Sequence, residues 1–512
     1  MSLEPAFDAF AQTYDAGRPQ VVWTRLIDDL ETPVSAYLKI GQGKPYAFLF
    51  ESVEGGAWRG RYSIVAMKPD LVWRCRGDQA EIAEGEAITA KAFTPQPGGA
   101  LDSLRDVIAQ ARIELPKGLP PMAAGVFGAL GYDMVRLAER LPDINEDTLG
   151  GLPDGIMTRP SIVAVFDAIA QEIILVTTAR PKAGVSAKDA YDAARSRIET
   201  VMADLRRPLA HEAPRTGHAP IEFTTPVSRE DYAVVVDKAK EYIRAGDIFQ
   251  VVPSHRFRAP FDLDPFALYR SLRRTNPSPF LYFLNLDGCH LVGSSPEILV
   301  RLRDGKITIR PIAGTRPRGA TPEEDLALEA ELLADPKERA EHLMLLDLGR
   351  NDVGRVSMLK EPGRNEPSQP SKGPRVKVTE SFKVERYSHV MHIVSNVEGV
   401  APVGVDPVDV LMAALPAGTL SGAPKVRAME IIDELEIEKR GLGYAGAVGY
   451  IGADGSVDTC IVLRTALVKD GMMYVQAGGG VVADSDADAE YDETLHKSRA
   501  LKRAAEEAWR FA

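Results

Sequence analysis

Apolar positions in the first part of the chain come in short runs separated by turn formers, at residues 33–40, 46–52, 62–66 and 71–75. Runs of this length predict β-strands. Phe48-Leu49-Phe50 lacks polar alternation, which predicts a strand buried on both faces that delivers Glu51 and Ser52 to its end. The glycine-rich stretch that follows, 53–63, reads as a hairpin connection. Further strand-like runs lie at 124–132, 161–167 and 172–178, and a helix is predicted over about 186–206.

Residues 207–220 are rich in breakers and have no apolar period, so they read as a linker between a first lobe, 1–221, and a second, 222–512. The second lobe opens with a predicted helix from Ser228 to Arg244, with Tyr232, Val235, Ala239 and Ile243 at helical spacing and Gly246 as its stop. Residues 248–252 and 280–285 predict covered strands, and Asp304-Gly305, Asp454-Gly455 and Asp470-Gly471 each divide two β-like runs, as hairpin turns do. Hairpins in this number predict an α+β fold of two lobes, with large, mainly antiparallel sheets sandwiched by helices.

A chain of 512 residues exceeds what one core usually serves. The balance of 61 basic against 73 acidic residues, a net charge of −12, argues against nucleic acid and anionic membranes as partners. Cys75, Cys289 and Cys460 form no CxxC pair, the N-terminus lacks a leader pattern, and no apolar run is long enough to span a bilayer. The expected compartment is the cytoplasm.

Two stretches carry candidate chemistry. Gly478-Gly479-Gly480 lies between apolar segments, where bare backbone lets a ligand approach closely, and Glu490, Glu493 and Lys497 then share one helix face at i, i+3 and i+7. An EF-hand starting at Asp484 is excluded by Ala489 and Leu495, and no Gly-Lys-Ser/Thr follows to make a phosphate loop. A second Glu-x-x-Glu pair, Glu338 and Glu341, follows a strong helix start in which Asp335 is the N-cap, Pro336 the first residue and Glu338 the capping-box acid. Read alone, either pair is as compatible with a solvated helix face as with a site for a hard cation. His392, in the apolar run 390–394, reads equally as a core histidine or a site residue.

Asn276-Pro-Ser-Pro-Phe280, Ser295-Pro-Glu297, Arg310-Pro-Ile-Ala-Gly314-Thr315, the 335–342 helix start, His392, Leu415-Pro-Ala-Gly-Thr419-Leu-Ser-Gly-Ala-Pro-Lys425, Gly443-Tyr444, Asp458-Thr-Cys460-Ile-Val-Leu-Arg464 and 478–497 occur in one order. In order and wording they resemble the chorismate-utilising enzymes, most closely the anthranilate synthase component I branch. Phe-Leu-Phe-Glu51-Ser52 and Gly60-Arg61-Tyr62-Ser63 extend the resemblance to the first lobe.

The resemblance implies Mg²⁺ and chorismate in the second lobe. It assigns Glu341 and Glu493 as direct metal ligands, with Glu338 and Glu490 acting directly or through water. It places Arg464, Lys497 and the amides of Gly478, Gly479 and Gly480 on the substrate carboxylates and enolpyruvyl group, lines the pocket with Gly314, Thr315, Thr419 and Tyr444, makes Glu297 the general acid for the C4 hydroxyl, and gives His392 a part in pyruvate elimination. Relatives that add water carry a lysine base where Gln250 stands, and the aminodeoxychorismate branch carries lysine where Ala313 stands, so both positions point to ammonia attacking C2 and to anthranilate as product. The alternatives are aminodeoxychorismate synthase component I and a non-catalytic sensor of chorismate or tryptophan. A sensor is expected to have lost Glu297 or a metal carboxylate, and neither is lost.

No Gly-x-Cys-x-Gly nucleophile motif occurs, so the resemblance implies a separate glutamine amidotransferase subunit, component II, in a heterotetramer of two large and two small subunits. It also implies feedback inhibition by L-tryptophan at a second site built from Glu51, Ser52, Pro279, Phe280, Leu281, Gly449, Tyr450 and Cys460. Phe280, where tyrosine is common, and Phe48-Leu49-Phe50, where leucines are common, alter that pocket's shape.

Overall fold

The computed structural model describes residues 2–52, 60–209, 221–359, 375–387 and 390–512. Most of the glycine-rich hairpin expected at 53–63 and most of the linker expected at 207–220 lie outside these residues. Every strand ladder described is antiparallel. The expected α+β class, a large antiparallel sheet system covered by helices, is what forms. No helix among the described residues is long and apolar enough to cross a membrane.

The seam of the sheet is the ribbon of two long strands, Tyr62–Arg76 and Gly155–Asp167. From one end of it, pairing runs through Phe48–Glu51, Phe280–Asn285, Cys289–Ser295, Thr465–Lys469 and Met472–Gly478 to Ser254–Pro260. From the other it runs through Gly125–Leu130, Ala447–Gly452, Val457–Ile461, Ile298–Arg303 and Lys306–Ile309 to Val390–Val400. Strands from either side of residue 221 therefore pair with one another twice, at Phe48–Glu51 with Phe280–Asn285 and at Gly125–Leu130 with Ala447–Gly452. The hydrophobic clusters mix the two halves too: Phe10, Tyr37, Phe266, Phe283 and Leu501 share one, and Phe48, Phe127, Tyr282 and Tyr450 another.

The three Asp-Gly hairpins form as expected. At Asp304-Gly305 and Asp470-Gly471 both residues have positive φ (51° and 70°; 51° and 72°), the combination whose twist matches a two-residue hairpin. Two expectations are corrected. Residues 33–40 are a helix, Pro33–Ile40, because Thr32 and Ser35 close a reciprocal capping box, Pro33 sets the first turn, and Ala36, Tyr37 and Ile40 then face the core. The strand expected over 248–252 is only Gln250–Val251, paired with Gly422–Ala423 outside the main sheet.

Gly128 and Gly449 stand opposite each other where Gly125–Leu130 pairs with Ala447–Gly452. A Cβ on Gly128 would lie 2.1 Å from the Ile156 carbonyl oxygen, and one on Gly449 2.1 Å from that of Asp458. Both obstacles are backbone, so neither can swing aside. Gly128→Ala is expected to force the strands apart and destabilise the protein by about 1–3 kcal/mol, read as a lower urea midpoint, and an unchanged midpoint would show that the sheet relaxes freely here.

Candidate functional site

Two helices present acidic faces to one another. Pro336–Ser357 carries Glu338 and Glu341, and Ala487–Glu507 carries Glu490, Glu493 and Lys497. The first begins where Asp335 accepts from the amides of Lys337 and Glu338. The reciprocal half of the expected capping box does not form: Glu338 turns instead to Arg316 (3.2 Å), which also holds Asp335 (2.8 Å) and Glu331 (2.9 Å). An ion pair to a guanidinium outweighs a neutral amide as a partner.

Burial, then the charges of Glu338 and Glu493, push the Glu341 carboxyl above its ordinary range, with Lys497 and Lys337 opposing. Glu490 is raised chiefly by burial and also by Glu493, against a 2.7 Å bond from the Ser485 hydroxyl, while its Oε2 is buried with no partner. Glu341 thus feels the charge of Glu493 across the gap. No three or more His, Cys, Asp or Glu side chains among the described residues close into a metal cage, so the acids stand as two facing pairs.

Lys497 crosses the gap's edge, donating to Glu493 (2.7 Å) and to the Gly478 carbonyl (2.9 Å). Burial lowers its pKa, but Glu493, Tyr444 and Glu341 outweigh that and leave it raised. The Lys497 and Glu493 side chains each keep 46% of their surface exposed, as expected of groups lining an open cleft. The glycine run forms its floor: a Cβ on Gly479 would lie 2.5 Å from Glu490 Oε2, and one on Gly480 2.3 Å from Gln250 Nε2. Gln250 is buried there with its Oε1 unpartnered. Tyr444 is buried nearby with the Arg440 guanidinium 5.2 Å above its ring.

The cleft continues past Gly314, whose added Cβ would meet Glu338 Oε2 at 3.2 Å. His392 Nδ1 lies 2.9 Å from Thr315 Oγ1 and 3.2 Å from the Gly314 carbonyl. Burial, then the Arg464 charge, hold the imidazole at about 4, so it is neutral near pH 7 and can take a proton. Arg464 sits at a break between strands with φ 48°, a left-handed conformation uncommon for a bulky side chain and found where a structure over-determines it. Its charge acts on Glu297 as well.

Glu297 occupies the break between Cys289–Ser295 and Ile298–Arg303, where its carbonyl accepts from Ile461. Burial pushes its carboxyl up to about 8 despite the Thr419 hydroxyl and Arg464. Glu297, Thr419, Leu345 and Leu348 line a cavity of about 20 Å³, room for roughly one water, which is why so little solvent stabilises the anion. Thr419 Oγ1 is buried beside it without a hydrogen bond of normal geometry. Glu297, Arg464, His392, Gly314 and the acidic helices are therefore links of one continuous site.

The second group of expected residues is contiguous elsewhere. Glu51 pairs in register with Leu281, and Phe280 with Ser295. Phe50, Phe127 and Tyr450 form an aromatic chain (6.1 and 5.6 Å between centroids), and Cys460 pairs with Val448 two residues before Tyr450. Pro279 is buried and Ser52 half-buried. The Glu51 carboxylate is already held by Arg273 (2.8 and 3.1 Å) and the Tyr269 hydroxyl. Sequence reasoning missed Arg273 and Arg316, although Arg316 directly follows Gly314-Thr315 and could have been suspected from that place alone.

The sequence profile described as chorismate binding enzyme matches residues 68–503. The chain is 56% identical over 512 residues to an anthranilate synthase component 1 of Cereibacter sphaeroides, covering 99% of this chain and 98% of that one. It is 47% identical over 488 residues to one of Pseudomonas aeruginosa, 93% of each. Among solved structures, anthranilate synthase component I from Streptococcus pneumoniae superposes with a TM-score of 0.74 at 36% identity over 93% of this chain and 98% of that one. The menaquinone-specific isochorismate synthase of Escherichia coli, at 18% identity with 96% and 95% covered, shares the fold with a TM-score of 0.68. With matches that run nearly end to end, the chain belongs to the chorismate-binding enzymes and groups there with the anthranilate synthase component I proteins.

Proposed function

We propose that this chain aminates chorismate at C2 with ammonia and then eliminates pyruvate to give anthranilate. The observation that carries the reading is the contrast between the two ends of one site. At one end a buried carboxyl stays protonated at neutral pH; at the other, four carboxylates and a lysine face a glycine floor. Chorismate, a dianion with a hydroxyl to lose, needs both.

Mg²⁺ is the metal we assign to the acidic pairs. An all-oxygen donor set, burial with added carboxylate repulsion that raises Glu341 and Glu490, and the unpartnered Glu490 Oε2 suit a hard cation that keeps water and substrate among its ligands. Glu341 and Glu493 would hold it directly, with Glu338 and Glu490 acting directly or through water. When bound, it supplies positive charge for one substrate carboxylate. Lys497 and the amides of 478–480 receive the carboxylate at the same end, Arg464 takes the other, and Gly314, Thr315, Thr419 and Tyr444 wall the ring. Glu297 gives its proton to the C4 hydroxyl, which leaves as water while ammonia bonds to C2. His392, neutral, accepts a proton during the loss of pyruvate that makes the ring aromatic. Gln250, an amide in the buried wall of the glycine floor, cannot deprotonate water, and Ala313 offers no amine, which favours ammonia at C2 over the two other outcomes known for this resemblance.

Ammonia comes from a partner of the glutamine amidotransferase type, component II, in a two-plus-two assembly. All three cysteines are buried, and burial pushes the Cys75 and Cys289 thiols up to about 12, where they are poor nucleophiles. Residues 222–512 carry the chemistry, and 1–221 contribute Glu51 and Ser52 to the tryptophan site. There the ammonium of tryptophan shares Glu51 with Arg273, and the indole packs by Pro279, Phe280 and Leu281, with Gly449, Tyr450 and Cys460 as the wall. Tryptophan that prefers one arrangement of these elements shifts the population away from the chorismate-competent one.

Glu341→Gln and Glu493→Gln are each expected to abolish Mg²⁺-dependent turnover; near-normal activity in either would sink the metal assignment. Glu297→Gln is expected to keep chorismate binding and lose roughly 10²–10⁴-fold in kcat. In the wild type, kcat at fixed free ammonia is expected to fall as pH rises through about 8 and Glu297 loses its proton. Because that carboxyl is raised above its unfolded value, its contribution to stability is complete at acid pH and lost as pH climbs towards 8. Glu297→Gln is therefore expected to gain Tm over wild type at pH 8 but not at pH 4. A pH-independent difference would mean that folding does not raise the Glu297 carboxyl above its unfolded value.

Ser52→Phe is expected to fill the effector slot and raise the tryptophan concentration needed for inhibition with little change in uninhibited turnover. Inhibition like wild type in that variant, or tryptophan competing within the Mg²⁺ site, would rule the second site out.

A further inference from the structure

His255 lies on strand Ser254–Pro260, next to the residue that pairs with Gly478, and is 4% exposed. Neither the proposed mechanism nor any motif uses it. Its ring nitrogens make two contacts: Nδ1 to Thr225 Oγ1 (2.9 Å) and Nε2 to Thr494 Oγ1 (2.8 Å). The hydrogen-bond direction is fixed at both ends. Thr494 Oγ1 donates to the Tyr491 carbonyl of its own helix (2.8 Å), so it accepts from His255 Nε2–H. Thr225 Oγ1 accepts from the Val227 amide (3.3 Å), leaving its hydroxyl proton for His255 Nδ1. Each hydroxyl thus gives once and accepts once. Burial and Lys502 hold the imidazole at about 4, which keeps it in the neutral form this chain requires. The ring also stacks on Tyr491 (5.5 Å, 13° between planes), whose ring carries the Arg229 guanidinium at 4.6 Å.

Tyr491 and Thr494 are the residues immediately after Glu490 and Glu493 on the Ala487–Glu507 helix. One residue is about 100° of helix rotation, so a grip on Tyr491 and Thr494 sets where the face of Glu490, Glu493 and Lys497 points. The same helix is also held by Arg229 on Asp488 and Asp492 (3.1 and 2.6 Å), by Lys502 over the Phe257 ring (4.0 Å) and by buried Leu501, Ala504 and Ala505, but none of these grips the turn that carries Glu490 and Glu493 from the sheet side as His255 does. We propose that His255 is a positioning residue which, through Thr494 and Tyr491, locks the rotation of the Ala487–Glu507 helix so that Glu490, Glu493 and Lys497 face the cleft. It touches neither substrate nor metal. The inference rests on the reading that this helix face holds Mg²⁺ and a chorismate carboxylate.

The test is equilibrium binding of chorismate in the presence of Mg²⁺ with no ammonium or glutamine, so that no turnover occurs, on variants shown to be folded by circular dichroism. His255→Leu and Thr494→Val are each expected to weaken binding roughly tenfold, because small misplacements of binding groups are costly, and the double variant is expected to be no worse than either single one. His255→Gln, which can accept from Thr225 and donate to Thr494, is expected to recover most of the loss. Wild-type binding by His255→Leu, or losses that add fully in the double variant, would overturn the proposal. If His255→Leu does not fold, Thr494→Val decides, and wild-type binding there overturns it. Glu493→Gln in the same assay separates the premises: if it binds as wild type, the reading of the helix face fails, whatever His255 does.

Discussion

The structure depends on holding like charges together. Two helices hold Glu338 and Glu341 near Glu490 and Glu493, and burial, with repulsion from neighbouring carboxylates added to it, raises Glu341 and Glu490. Flexible helices would turn these faces to water. They are kept in place by rigid means: the Asp335 cap and the Arg316 fork on one side, and the Lys497 tether to Gly478 with the His255–Thr494 link on the other. A large sheet drawing strands from both ends of the chain supplies the common base. A cation held there, as proposed, would relieve the repulsion among these carboxylates.

Against that electrostatic end, Glu297 is kept neutral by lack of water rather than by negative neighbours. Arg464 mediates between the two. Burial is the larger cause at both groups, but the charge of one half-buried guanidinium, on a left-handed backbone, moderates the rise at Glu297 and adds to the fall at His392. Such separation of titrating groups within one cleft is how a fold carries an acid and a base at the same pH.

Much of this was legible in the sequence because its signals are local. Asp-Gly pairs fix hairpins, Asp335-Pro336 fixes a helix start, and i, i+3, i+7 spacing puts Glu490, Glu493 and Lys497 on one face. What was not legible depends on partners distant in sequence. Residues 33–40 carry Val and Tyr that suit a strand, and the Thr32–Ser35 box that decides for helix is a short-range signal that apolar runs overshadow. Glu338 looked like a capping acid because nothing nearby reveals Arg316, and Glu51 looked free because Arg273 lies on a remote helix. The mixing of the two halves in one sheet system is likewise invisible, since a strand's sequence states its faces but not its neighbour.

Purified chain with chorismate, Mg²⁺ and ammonium tests the proposed reaction most directly, through the product it forms. The expected products are anthranilate, seen by its fluorescence, and an equal amount of pyruvate, with no use of glutamine until an amidotransferase partner is added. Accumulation of 4-amino-4-deoxychorismate or isochorismate as the main product, or turnover with glutamine by the chain alone, would contradict it.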